Sequence, residues 1–519
     1  MKGDKRMVRQ FIMAIDQGTT GSTVLIVDVS TAHAISILGR HTIEFSQYYP
    51  ETGWVEHDLE GIWSSVVEAA TQAMAHAAAQ DSGFKPERII AIGLTNQRET
   101  LCVLERGTDR PLHRGIVWQC KRSAAICARL RAQGAEDLVK QRTGLVLDPY
   151  FSGTKITWLL ENQPAVAAKL KNGQAVVGTI DTFLIARLTA GKSFVTEASN
   201  ASRTLAFNIH SGQWDQDLLR LLTIPSADIF PQILDSAGEF GRTQGLGFIP
   251  DGIPICGVLG DQQAALAGQT CFSPGEAKCT YGTGAFLLAT QGSKALQSRS
   301  GLLTTVAWSL AGKRTYAFEG SAFIAGAAIQ FLRDQLSLIH HASETESLAA
   351  SATAAPEVYF VPALAGLGAP YWDAKAQGAF FGLTRGTTRA QLVRAVLEGI
   401  ALQVAELTAA VQKDLGSSLQ VLRVDGGAAA NSLLMQLQAD YGGVRVDRPM
   451  NLETTAFGAA LFAGLGVGLY SDLEQLRLVR RTERIFTPAS AAADEVRLAA
   501  HLAGWRRAVH AVQVFAGTA

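Results

Sequence analysis

Apolar positions in this chain form short runs that stop at polar or glycine-rich turns, with helical stretches between them. Residues 13–15, 24–27 and 34–38 are runs of strand length separated by turns. Residues 60–80 have helical spacing and many alanines, and 89–94 reads as a buried strand. Residues 101–104 and 116–118 predict two further strands, and 123–134 a helix closed by Gly134. Residues 155–222 mix helical stretches with a strand at 176–178, and 236–254 is rich in glycine and proline. The pattern then starts again. Strands are predicted at 255–259, 277–280, 286–289, 304–308 and 316–319, a long helix at 389–414, a strand at 421–425 and a helix at 431–442. Strands followed by helices in both halves predict two α/β domains of one type. The division is placed at 257/258, giving domains 11–257 and 258–480 and a motif-free tail at 481–519, with 490–493 as loop.

Two acid-bearing turns about half the chain apart give this duplication a chemical meaning. The first is Asp16-Gln17-Gly18-Thr19-Thr20, set between two apolar runs. Asp, Gly and Thr suit any hairpin turn. In the functional reading, backbone N–H groups and the threonine hydroxyls face phosphates, and Asp16 holds Mg²⁺ through water. The second is Gly260-Asp261-Gln262-Gln263, followed by Thr280-Tyr281-Gly282-Thr283-Gly284. Asp261 also suits the N-cap of a helix at 262–267, and both roles stay open. A third turn, Asp425-Gly426-Gly427, joins a strand to a helix, and paired glycines let a ring or ribose approach backbone. Arg98 and Glu99 follow the 89–94 strand, at the end where α/β sites form.

A near match to a phosphate-binding loop, Ala186 to Ser193, has a capped helix in front of it instead of a strand. Gly191 then reads as the residue after a helix end, with Lys192 at the negative end of the helix dipole.

The 519 residues exceed what one core normally serves, which agrees with two domains. Lys+Arg and Asp+Glu both number 46, so nothing favours a nucleic-acid or anionic-membrane partner. No apolar stretch reaches the length of a membrane span, and the basic start lacks a long enough apolar run for a signal peptide. The six cysteines lie mostly in apolar runs and form no Cys-x-x-Cys, which predicts buried thiols in a reducing cytoplasm.

These residues carry a resemblance. The chain resembles the FGGY family of carbohydrate kinases from about residue 11 to 480. Distinctive segments are Gly53-Trp54-Val55-Glu56-His57-Asp58, Asn96-Gln97-Arg98-Glu99-Thr100, Val117-Trp118-Gln119-Cys120 and Asn200-Ala201-Ser202-Arg203-Thr204. The stretches 148–155, 260–266 and 366–373 add to them, and both family signatures are present, near 150–162 and 378–398. The resemblance implies two ribonuclease-H-like, actin-like ATPase domains closing on a cleft. It also implies ATP-dependent, Mg²⁺-assisted phosphorylation of glycerol to sn-glycerol 3-phosphate. By motif position, Arg98, Glu99, Tyr150, Asp261 and Gln262 would hold the glycerol hydroxyls, with Trp118 and Phe286 along its carbons. Asp261 would be the general base. Thr19, Thr20, Thr283, Gly326, Gln330, Gly427 and Asn431 would touch the nucleotide. Relatives form dimers and tetramers, which implies a homo-oligomer. Another polyol or ketose substrate, or a weakly active actin-like ATPase, are the competing readings. Retention of Arg98, Glu99, Trp118 and Tyr150 argues against both.

Two departures from the family pattern stand out. Members usually carry an arginine that reaches toward the phosphates where this chain has Thr23. Some bacterial members bind fructose 1,6-bisphosphate through a Gly-Thr-Arg loop, aligned here with Pro250-Asp251-Gly252, which has no cation. Others are phosphorylated on a histidine in that region, but none lies between His210 and His340. Neither control is expected.

Overall fold

The computed structural model describes residues 9–31, 35–352, 358–489 and 492–518. Two large sheets organise the chain. The strands of the first run in the order Ala237–Arg242, Pro254–Gly260, Ile89–Asn96, Phe11–Gln17, Gly21–Asp28, Ser36–Glu44. The last three form an antiparallel meander, and Ile89–Asn96 and then Pro254–Gly260 add in parallel beside Phe11–Gln17. In the second sheet Ala277–Tyr281, Ala285–Gly292 and Lys313–Ala322 are antiparallel neighbours. Val421–Asp425 and Arg445–Pro449 add in parallel on the other side of Ala277–Tyr281. The repeated arrangement is the duplicated, ribonuclease-H-like one expected from the sequence.

Phe11 to Ile15 are wholly buried, because this strand is covered on both faces and so needs an unbroken apolar run. The helix Leu59–Gln80 covers one face through Ile62, Val66, Ala69 and Ala73. Asp58 caps it, Oδ1 accepting from the Glu60 N–H at 3.2 Å. The helix Thr454–Gly466 comes from the second half of the chain and covers the other face. Its Ala456, Ala460 and Ala463 meet Ile12, Ala14 and Ala91.

Three expectations change. The strand Pro254–Gly260 belongs to the first sheet, so a division at 257/258 would cut it, and the second sheet starts at Ala277. The glycine-rich stretch before it is the edge hairpin of that sheet, where Ala237–Arg242 pairs back on Pro254–Gly260. The chain after 480 is also structured. Thr482–Phe486 pairs with Arg445–Pro449, and the helix Ala492–Ala516 seats Trp505, Val509 and Val512 against Tyr359, Val361 and Leu402. Of the predicted loop at 490–493, Ser490 and Ala491 lie outside the described residues, and Ala492 and Ala493 begin this helix. Ala34 also lies outside them, and the strand predicted there runs as Ser36–Glu44.

The helix Asp261–Gly268 crosses Thr454–Gly466 at backbone distance. A Cβ at Gly458 would overlap the Ala264 carbonyl, and one at Gly268 would overlap the Thr454 carbonyl. Gly93 and Gly257 let the first sheet approach Ala459 and Ala463 in the same way. Gly458→Val is therefore expected to cost about 1–3 kcal/mol or more through overpacking, lowering the urea midpoint. A midpoint equal to wild type would show that the two helices can part there without loss.

Candidate active site

Asp261 opens a helix, one residue after the buried strand Pro254–Gly260. Gly260 is its N-cap and donates its N–H to Ser199 Oγ at 3.0 Å. A Cβ at Gly260 would strike the Arg98 side chain, so this glycine lets the guanidinium lie close. Arg98 Nε is 3.1 Å from Asp261 Oδ1. Arg98 also meets both oxygens of Glu319, Nη1 at 2.5 Å from Oε2 and Nη2 at 3.1 Å from Oε1. Arg203 completes the cluster, Nε donating to Glu99 Oε1 at 2.6 Å and Nη2 to Glu319 Oε1 at 2.9 Å. The side chains of Glu99 and Glu319 are 2% and 0% exposed, whereas Asp261 is 28% exposed. Asp261 is thus the carboxylate of this cluster that opens to the cleft.

Charge pairing opposes the cost of burial in this cluster, to different extents at its members. Burial works against the Arg98 cation, but Glu319 and then Glu99 outweigh it and raise its affinity for the proton. Burial likewise pushes Glu319 up, yet Arg203 and Arg98 bring it down to about 2. Glu99 ends above the usual carboxylate range, burial outweighing the two arginines. Its backbone is left-handed (φ 59°), an uncommon conformation for a residue with a side chain and one that collects at functional sites.

The expected glycerol residues gather round this cluster. Trp118 and Tyr150 meet edge to face at 5.4 Å, and the Arg203 guanidinium lies 5.8 Å from the Tyr150 ring centre. Burial raises the Tyr150 phenol above its ordinary range, so it stays a hydrogen-bond donor. Trp118 Nε1 donates to Thr19 Oγ1 at 2.9 Å, tying this wall to the first acid turn. Gln262 Oε1 accepts from Lys278 Nζ at 2.5 Å, and half-buried Phe286 stands opposite Thr280 in the second sheet.

In the second half of the chain, a cavity of about 260 Å³ is lined by Thr283, Gly326, Gln330 and Gly427, with Tyr281, Ile329 and Arg333 among its other walls. A Cβ at Gly427 would meet nothing, and one at Gly326 would strike the Gly282 carbonyl. Asn431 is not among the lining residues. Its Oδ1 caps the helix Ser432–Gly442 through the Leu434 N–H, and its Nδ2 donates to Thr345 Oγ1. Thr19 and Thr20 sit on the first-sheet turn, where Gly18 N–H donates to the Gly21 carbonyl. Asp16 ends the Phe11–Gln17 strand, and its carboxyl is pushed well up by burial, then by the Asp261 and Glu453 carboxylates. Thr23 pairs with Asp16 in register, so their side chains share a face; its hydroxyl meets Thr42 Oγ1 at 2.9 Å.

Arg203, Glu319 and Lys278 were not among the residues expected at the site. Glu319 and Lys278 each left a signal: Lys278 is the lone charge of its strand, and Glu319 sits in the buried part of a strand whose other charges, Lys313 and Arg314, are at its start. Arg203 lay within a segment already noted, but its ion pairs depend on the fold.

A duplicated α/β scaffold, with a charged cluster that leaves Asp261 partly open and a glycine-lined cavity in its second half, is that of a phosphotransferase of the actin-like type. Residues 11–268 match the N-terminal domain of the FGGY family of carbohydrate kinases, and 277–467 match its C-terminal domain. The chain belongs to this family. It is 52% identical to a glycerol kinase of Bdellovibrio bacteriovorus, over 92% of this chain and 94% of that protein. It is 50% identical to a glycerol kinase of Myxococcus xanthus, over 96% and 99%. Among solved structures, Plasmodium falciparum glycerol kinase with ADP aligns at a TM-score of 0.88 and 34% identity, covering 97% of this chain and 98% of that one.

Wholly buried His57 backs the first acid turn. Its Nδ1 lies 3.3 Å from Gln97 Nε2, which also donates to Gln17 Oε1 at 3.0 Å. Burial lowers its pKa to about 4 from 6.5, so the folded protein binds fewer protons than the unfolded chain between these values. This contribution to stability is complete above 6.5 and is lost as pH falls through that window. Unfolding free energies from urea titrations should fall on acidification there, by at most about 1.4 kcal/mol per pH unit from this group. His57→Gln should flatten the slope; an identical slope in the variant would assign the acid sensitivity to other groups.

Proposed function

We propose that this protein transfers the γ-phosphoryl group of ATP to a primary hydroxyl of glycerol, giving sn-glycerol 3-phosphate and ADP. The observation that carries the reading is Asp261. It is held by Arg98 at 3.1 Å beside the buried ion-pair cluster, yet at 28% exposure it is the acid of that cluster open to a ligand. Close relatives named as glycerol kinases support the choice of alcohol.

Glycerol's hydroxyls would meet Arg98, Glu99, Tyr150 and Gln262, with Trp118 and Phe286 along its carbons. Specificity then comes from polar groups that a wrong ligand would leave unpaired. Asp261 accepts the hydroxyl proton as the new oxygen–phosphorus bond forms and the bond to ADP breaks. Base catalysis of this kind is typically worth about 10²–10⁴-fold. Thr19, Thr20, Thr283, Gly326, Gln330 and Gly427 serve the nucleotide, and Asn431 shapes the turn behind Gly427.

The donor set also fits Mg²⁺. Burial and then the Asp261 and Glu453 carboxylates disfavour the charge of Asp16, and Asp425 Oδ1 is buried without a hydrogen-bond partner among the described residues. No three metal-binding side chains cluster among the described residues, which suits an ion held mainly by phosphates and water. When bound, it would offset the triphosphate charge.

The direct test is ADP release with ATP and Mg²⁺, offering glycerol, dihydroxyacetone, erythritol, xylulose or no acceptor. Glycerol-dependent release that falls at least about 10²-fold in Asp261→Asn is the expected outcome. Equal release without any polyol would overturn the reading.

The site also makes a forecast at position 23. An arginine there would project from the face that carries Asp16, toward the phosphate turn. Thr23→Arg should lower the KM for ATP or raise kcat. Neither constant moving would show that Thr23 costs this chain nothing.

A further inference from the structure

We infer that Glu319 is a positioning residue for the glycerol site, contributed from across the cleft by the half of the chain that carries the nucleotide cavity. Glu319 lies on the strand Lys313–Ala322 of the second sheet. Arg98 and Arg203 both come from the first half, at the end of the strand Ile89–Asn96 and just after the helix Ala198–Ala201. One fully buried carboxylate therefore spans the two halves and accepts from both guanidiniums.

The contacts beyond these two arginines give this arrangement its consequence. Arg98 reaches Asp261. Arg203 reaches Glu99 and lies beside the rings of Tyr150 and Phe151. Three of the groups expected to meet glycerol hydroxyls thus take their positions from arginines that Glu319 anchors, and Arg98 is itself a fourth. Without Glu319 two buried cations face each other with too little negative charge between them. Each would draw further on its remaining acid, Arg98 on Asp261 and Arg203 on Glu99. Both acids would then be misplaced for an alcohol. Nothing in the nucleotide cavity shares these contacts, since Thr283, Gly326, Gln330 and Gly427 lie on other elements. The glycerol site is therefore held in place by residues of both halves of the chain.

This inference rests on the proposed glycerol reaction, and the experiment separates the two. Wild type, Glu319→Gln and Glu319→Asp are compared for kcat, for the KM of glycerol and of ATP, and for the rise in thermal midpoint that glycerol induces. In Glu319→Gln, the glycerol KM should rise on the order of 10- to 100-fold while that of ATP moves little. The glycerol-induced rise should shrink with it. Glu319→Asp keeps the charge and should recover part of the loss. If Glu319→Gln does not fold, Glu319→Asp carries the test, with the glycerol KM expected to rise more than that of ATP. A variant with a lower midpoint but wild-type glycerol KM and wild-type glycerol-induced rise would overturn the inference and leave Glu319 a structural role alone. Wild type without glycerol-dependent ADP release would instead remove the reaction on which it rests.

Discussion

The cleft is built outward from a place where two helices touch through their backbones. Asp261–Gly268 and Thr454–Gly466 meet at Gly268 and Gly458, where even a methyl group would collide with a carbonyl. Thr454–Gly466 is itself pressed onto the first sheet at Gly93 and Gly257. Packing this close has little freedom to slide, because a shift along either helix would replace glycine with a larger side chain. Asp261 is the first residue of one of these helices, so its carboxylate inherits that rigidity. The second sheet is fixed to the same contact through Asp425, whose Oδ2 accepts from Thr454 Oγ1 at 2.6 Å and from Gln269 Nε2 at 2.9 Å.

A second constraint is electrostatic. Burying Arg98, Arg203, Glu99 and Glu319 removes four charges from water, and such pairs often add nothing to net stability. The cluster is better explained by what it orients. Its charges are neutralised within the protein before any ligand arrives, so alcohol binding has no large reorganisation to drive. Lys278 extends the same logic toward Gln262. Its ammonium donates to Gln262 Oε1, which leaves the amide nitrogen as the end suited to donate to an acceptor in the pocket.

The parts legible in the sequence were those whose physics is local. An apolar run stopped by an acid and glycine marks a strand end wherever it occurs, so the Asp16, Asp261 and Asp425 turns could be read directly. The 186–193 segment was equally local. Gly191 has φ 76° and donates its N–H to the Ala186 carbonyl just beyond the helix Ile180–Leu188, as a helix end requires. The rest needed the fold. Ile255–Leu259 has the same composition as a strand of either sheet, and only its pairing with Ile89–Asn96 assigns it to the first. The last helix hides in an alanine-rich segment, where the spacing of Leu502, Trp505, Val509 and Val512 is the only trace of its packed face. Arg203 and Glu319 are 116 residues apart and become partners only when the halves meet.

The two walls of the cleft therefore solve opposite problems. The alcohol side carries many fixed charges, paired with one another, and must present a neutral triol with an exact set of donors and acceptors. The nucleotide cavity has mostly uncharged walls: Arg333 lines it, and that guanidinium is already paired with the adjacent Asp334. Asp16 is not among the residues lining that cavity; its carboxyl, at the first acid turn, is pushed up by burial and then by Asp261 and Glu453. Thr23 stands opposite Asp16 in register, so that position on the neighbouring strand supplies a hydroxyl and no positive charge.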